Sequence, residues 1–132
     1  EWIERRRSLA AKYNKELRDT SLEIPIEHTD NKHAYYIYVV KHDERDKIMS
    51  ELIKKDIHLN ISYPWPIHIM DAYKHFECES CNCSRRNSKE DTCNLLTETE
   101  ISSRKVFSLP MYPTLTDEEQ NIVIREIKKI LI

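Results

Sequence analysis

Four cysteines fall within "CESCNCSRRNSKEDTC", residues 78 to 93, and the chain has no others. Running Cys78, Cys81, Cys83, Cys93, the pattern is Cys-x2-Cys-x-Cys-x9-Cys, which could offer four thiolates to a tetrahedral zinc ion. It is not the doubled Cys-x2-Cys of a zinc ribbon. A polar surface loop whose thiols are reduced, or pair as disulfides on oxidation, fits it as well. The loop is therefore read as ordinary surface with no metal ligand assigned, and a zinc-held contact surface stays open as the alternative.

A second group sits in "NISYPWPIHIM", residues 60 to 70. Pro64 and Pro66 bracket Trp65, with Tyr63 before them and His68 after. Two prolines restrict φ and remove two N–H donors, so the flanking side chains leave a stiff backbone in fixed directions. The stretch is either a rigid turn closing a core or an elbow that holds a phenol and an imidazole at the mouth of a site. Nucleophilic chemistry finds less support. The lysines lie on charged helix faces or in polar loops, and Lys41, which follows an apolar run, has no local pattern that would desolvate it for a Schiff base. A chain with no glycine cannot build the Gly-rich phosphate loops of nucleotide-binding fingerprints. No nucleophile motif is present, and no catalytic residue is assigned.

The elements that must position these groups come from a chain of 132 residues, room for one domain with a core of its own. With 33% charged residues and a net charge of −2, neither a basic face nor an acidic tail is signalled, so no nucleic-acid partner is expected. No apolar run approaches the roughly 20 residues of a bilayer span, and "EWIERRR" lacks a signal-peptide core. A cytoplasmic protein without membrane contact is expected. The start without Met, directly in helical pattern, suggests a cut from something longer.

Residues 1 to 19 place Ile3, Ala10, Tyr13 and Leu17 on one face of an amphipathic helix. "HAYYIYVVKHD", residues 33 to 43, has the composition of a strand. Asp43 is placed to cap a helix over 44 to 55 with Ile48, Met49, Leu52 and Ile53 as its apolar face. A second strand, "IHLNISY", ends at Pro64, a brief third one precedes Pro110, and Thr116 with Glu119 form a capping box for a last helix bearing Val123, Ile127, Ile130 and Leu131. This order predicts an α+β domain: a small, mostly antiparallel sheet covered by helices, unless a βαβ crossover makes the first two strands parallel.

Five pieces, "RRRSLAAKYNKEL", "HAYYIYVV", "ERDKIMSELIKKDI", "YPWPIHIMDAYK" and "SLPMYPTLTDEEQNIVIREIKKIL", stand in the order and spacing of the C-terminal small domain of DegT/DnrJ-type (StrS-like) sugar aminotransferases. The chain resembles that domain over nearly its whole length, as one domain over 1–132 with a Cys-rich insert at about 76–96. The resemblance implies a fold-type I pyridoxal 5'-phosphate enzyme that moves an amino group, usually from glutamate, onto a nucleotide-linked keto sugar in deoxysugar or surface-polysaccharide synthesis. It implies a homodimer in the full-length enzyme. The Schiff-base lysine and cofactor contacts lie in a large N-terminal domain that this chain does not include, so no cofactor and no activity are expected of the chain alone. A stand-alone, non-catalytic binding module is the competing reading.

The resemblance also sorts the elbow. The family's "YP-x-P-x-H" segment lines the small domain's side of the active-site cleft, which implies that Tyr63 and His68 bind substrate, with Trp65 read as edge packing. His33 matches a further family position at the start of a strand and is carried as a third substrate-binding candidate. The family usually has Gly where Asp56 stands and often His where Ser62 stands.

Overall fold

The first helix, α1 (Trp2–Leu17), forms where the apolar spacing predicts it, and it buries Leu9, Ala10, Tyr13 and Leu17. In the computed structural model, which describes residues 1–73 and 96–131, the stripe begins a turn and a half later than expected. Ile3 is 45% exposed because the first turns of α1 lie beyond the core. The helix is followed by β1 (Tyr38–Lys41), α2 (Arg45–Ile53), two 3₁₀ turns at Ile67–Ile69 and Asp71–Tyr73, α3 (Thr97–Lys105), β2 (Val106–Leu109) and α4 (Asp117–Leu131). The chain forms two compact units, one of Glu1–Ser62 with Val106–Ile132 and the other of Tyr63–Lys105.

In the first unit β1 and β2, the first and third of the expected strands, pair antiparallel, Tyr38 opposite Leu109 and Lys41 opposite Val106, and the α+β architecture holds. The sheet is smaller than the sequence suggests. β1 covers four residues instead of 33 to 43, because Tyr35 takes φ 47° and turns the chain just before it. A left-handed backbone is unusual for a bulky aromatic residue. It is held by its own N–H donating to His33 Nδ1 at 2.8 Å and by burial of the ring. The expected second strand is reduced to one bridge, Asn60 to Ser108, since Pro64 and Pro66 end any ladder beyond it. A matching bridge, Glu23 to Lys41, flanks β1 on its other side.

The core joins Tyr13 and Leu17 of α1, Tyr38 and Val40 of β1, Ile48 and Leu52 of α2, Phe107 and Leu109 of β2, and Val123, Ile124 and Ile127 of α4. The α2 face is narrower than its pattern: Met49 is only partly buried and Ile53 is 56% exposed. The residue at its N-cap is Glu44, not Asp43, because His42 Nδ1 accepts the Glu44 N–H at 3.0 Å and sets the turn one residue later. Its other end carries Asp56 at φ 59°. The Asp56 N–H donates to Ile53 O at 3.0 Å and the Ile57 N–H to Leu52 O at 3.1 Å, the two bonds of a Schellman termination. This is the position at which glycine is usually expected from the resemblance, and Asp is among the few residues whose short polar side chain tolerates the left-handed region. On α4 the capping box forms as predicted: the Thr116 N–H donates to Glu119 Oε2 at 2.8 Å and the Glu119 N–H to Thr116 Oγ1 at 3.2 Å. Those bonds from Thr116 also hold the Glu119 carboxyl below its ordinary range. Gln120, fully buried, ties α4 to α1 by donating to Leu9 O at 2.7 Å.

Candidate functional site

The elbow belongs to the second unit. Pro66, at φ −59° and ψ 140°, delivers the chain in extended form to the 3₁₀ turn Ile67–Ile69, closed by Ile69 N–H to Pro66 O and Met70 N–H to Ile67 O, both 3.1 Å. Met70 is again extended, and a second turn over Asp71–Tyr73 follows, with the Tyr73 N–H donating to Met70 O at 2.9 Å. Two short turns separated by an extended residue, with a proline setting the entry, make a backbone with little freedom left to lose. Tyr63 projects at 82% exposure and Trp65 at 64%. Trp65 was expected to pack an edge; the prolines on both sides hold it out instead.

His68 sits on the first turn and is half-buried. Its Nε2 lies 2.7 Å from Oε1 of Glu100, a residue of α3 that is 1% exposed. The second carboxylate oxygen, Oε2, is 3.4 Å from a terminal nitrogen of Arg104, one helical turn further along α3. Ser103 Oγ donates to the Glu100 carbonyl at 2.8 Å and stiffens the same turn. A carboxylate removed from water needs such donors, because its solvation is otherwise lost without return. The sequence does not announce α3 or a role for Glu100. "TETEISSRK" has no apolar stripe, and the one trace of order in it is the four-residue spacing of Glu100 and Arg104.

His33 lies in the first unit. Its Nδ1 accepts the Tyr35 N–H, so its neutral ring carries hydrogen on Nε2; its backbone N–H donates to Glu27 Oε1 at 2.7 Å, and its ring stands 4.2 Å from the ring of Tyr35. Arg7 pairs with Glu27 and also donates to the His33 carbonyl at 2.8 Å. Arg7 first, and then the His33 N–H, hold the Glu27 carboxyl below its ordinary range. A shallow hollow lined by Ile26, Glu27, His28, Asn31, Lys32 and His33 results. Of the three residues singled out from sequence, Tyr63 and His68 thus share the elbow, while His33 stiffens the turn ahead of β1.

The cysteine loop, Cys78 to Cys93, lies outside the described residues. Among the described residues no group of three or more His, Cys, Asp or Glu could hold a metal ion, and no helix is long and apolar enough to cross a membrane. Lys41 is ion-paired with Glu23 at 2.8 Å.

Residues 1–128 match the model of the DegT/DnrJ/EryC1/StrS aminotransferase family. The chain is 36% identical over 135 residues to a dTDP-3-amino-3,4,6-trideoxy-alpha-D-glucose transaminase of Micromonospora megalomicea subsp. nigra, covering 98% of this chain and 33% of that protein. Among solved structures, it is similar to a DegT DnrJ EryC1 StrS aminotransferase from Brucella abortus, with a TM-score of 0.75 and 26% identity over 98% of this chain and 31% of that one. S. venezuelae DesV shares the fold at a TM-score of 0.78, with 24% identity over 98% of this chain and 32% of DesV. The chain spans about a third of the length of the relatives it matches. With nearly every residue inside the family match and the fold reproduced, the chain belongs to the DegT/DnrJ/EryC1/StrS aminotransferase family.

Proposed function

We propose that this chain is the C-terminal, substrate-facing portion of a pyridoxal phosphate-dependent aminotransferase that works as a cytoplasmic homodimer and transfers an amino group from glutamate to a nucleotide-linked keto sugar. The pathway in this reading is deoxysugar or surface-polysaccharide synthesis. The observation that carries it is the family match over residues 1–128, supported by a relative named for a dTDP-sugar.

Six of the described lysines are held in ion pairs. A Schiff-base lysine is desolvated or set beside another cation. Here Lys41 pairs with Glu23, Lys32 with Glu4, Lys47 with Glu44, Lys54 with Glu51, Lys128 with Glu16 and Lys129 with Glu126. In this reading pyridoxal phosphate belongs to the remainder of the enzyme, and the chain alone transfers nothing. Its own contribution is recognition. The proline elbow presents Tyr63 and His68 as hydrogen-bonding groups for the sugar or diphosphate, at low entropic cost because the backbone is already fixed. His33 retains Nε2–H as its ring donor.

The test is His68→Ala in the full-length protein. A nucleotide sugar is long enough to reach the small domain, whereas glutamate is not, so the sugar half-reaction weakens and the donor half-reaction is spared. Loss of one hydrogen bond to a charged partner costs about 1.5 to 3 kcal/mol, a ten- to hundredfold fall in kcat/KM for the sugar. Equal losses in both half-reactions, or loss of thermal stability with no kinetic effect, would show that His68 only packs. The reading frame offers an independent check, since it must encode a large α/β domain carrying a lysine upstream of residue 1.

A further inference from the structure

Glu100 is an ionisable side chain that is 2% exposed on a short helix with no apolar stripe. An apolar residue of similar volume would avoid the desolvation cost at that position, so the carboxylate is kept for what it touches. It touches the elbow histidine. The Nε2 of His68, a side chain 20% exposed, is 2.7 Å from Oε1, and Arg104 approaches Oε2 at 3.4 Å. An ionised carboxylate only accepts hydrogen bonds, so the hydrogen between the two groups resides on Nε2. That assignment leaves Nδ1 as the other functional atom of the ring, and no described residue engages it. With the ring neutral, the Nδ1 lone pair accepts from a sugar hydroxyl; with the ring charged, Nδ1–H donates to a phosphate oxygen while Glu100 balances the charge.

We propose that Glu100 is a positioning residue that fixes the tautomer and plane of His68, so that Nδ1 is the atom presented to the nucleotide sugar. This rests on the reading above that His68 meets that substrate. The arrangement is the same in kind as a carboxylate that orients a catalytic or metal-bound imidazole through its far nitrogen. Arg104 approaches the same carboxylate at its other oxygen, 3.4 Å away.

The experiment uses the full-length protein, ¹⁵N-labelled at histidine, with variants H68A, E100Q, E100L and the double variant H68A/E100L. The ring resonances of His68, assigned by their loss in H68A, should report hydrogen on Nε2 in the wild type. E100Q keeps an oxygen opposite Nε2–H and is expected to keep that tautomer. E100L removes the acceptor, and a mixture of tautomers should appear together with a rise of about tenfold in KM for the nucleotide sugar at unchanged donor half-reaction. The double variant should be no worse than H68A, since both changes remove one device. Should E100L not fold, Glu100→Asp, a methylene too short to reach, replaces it with the same expected tautomer mixture. An unchanged tautomer and KM in E100L, or in the Asp variant, while H68A still raises KM, overturns the role of Glu100 and leaves the reading of His68 standing. No effect of H68A on the nucleotide sugar overturns both.

Discussion

Replacing Asp56 by glycine should stabilise the protein slightly, and replacing it by alanine should destabilise it. Asp56 stands at φ 59°, the residue after the last turn of α2, where two backbone bonds to Leu52 and Ile53 fix the left-handed conformation. A β-carbon in that region costs roughly 1 to 2 kcal/mol, less for Asp, and glycine escapes the penalty. Against this, glycine gives back about 0.5 to 1 kcal/mol through the freedom it adds to the unfolded chain. The Asp56–His58 contact at 3.1 Å joins side chains 96% and 72% exposed, so its loss matters by no more than about 0.3 kcal/mol. The balance is a gain of about 0.5 kcal/mol for Asp56→Gly and a loss of about 1 kcal/mol for Asp56→Ala. A total spread near 1.5 kcal/mol corresponds to roughly 1 M urea between the two unfolding midpoints, at equal slopes. Urea titration followed by circular dichroism reads this directly. An alanine variant as stable as the glycine variant would refute the left-handed termination and the account of why this family position holds glycine.

Thr116→Ala removes the side-chain half of the α4 capping box and should cost about 1 kcal/mol, read as a lower denaturant midpoint with no change in slope. Ile127→Ala opens a cavity at a fully buried α4 position, and a loss of about 2 to 5 kcal/mol is expected in the same assay. At high pH the sign follows from two fully buried phenols, Tyr13 and Tyr38, each raised above the ordinary tyrosine value of 10.0 chiefly by burial and each donating its O–H, to Pro110 O and to Asn14. A raised folded-state value gives stability that is complete below pH 10 and falls as pH climbs past it, by up to about 1.4 kcal/mol per unit for each phenol. Tyrosinate absorbance and loss of helical signal should then rise together for these two residues, whereas their titration near 10 in an intact fold would contradict the burial argument.

The elements that were legible in the sequence carried redundant local signals. α4 had a capping box and an apolar stripe, α1 had its stripe, and β2 was closed by Pro110. The losses came where tertiary or backbone detail outweighed composition. Nothing in "HAYYIYVVKHD" announces that Tyr35 turns left-handed, so the strand was drawn too long. The capping histidine His42 displaced the helix start that Asp43 suggested. α3 was missed because its buried member is a glutamate, and a polar helix that hides a charge looks like a solvated loop. The elbow itself was legible through its prolines, and the resemblance supplied the expectation that its histidine faces a ligand. Its partner Glu100 could not be found without coordinates, since 32 residues separate it from His68.

The two single bridges that flank the sheet matter for the life of the protein in crowded solution. A two-stranded ribbon has two open margins, and each is a template on which another chain could add a strand. Here Glu23 closes onto Lys41 with a pair of 3.0 Å bonds on one margin, and Asn60 onto Ser108 with bonds of 3.4 and 2.7 Å on the other. Pro25 and Pro64 follow within four residues of each bridge, so neither flanking segment extends as a strand of its own. Strands of four residues, margins occupied at one point, and prolines just beyond leave little continuous backbone for edge-to-edge association. A sheet this small is thus interrupted at both margins, and its incompleteness leaves little template for strand addition.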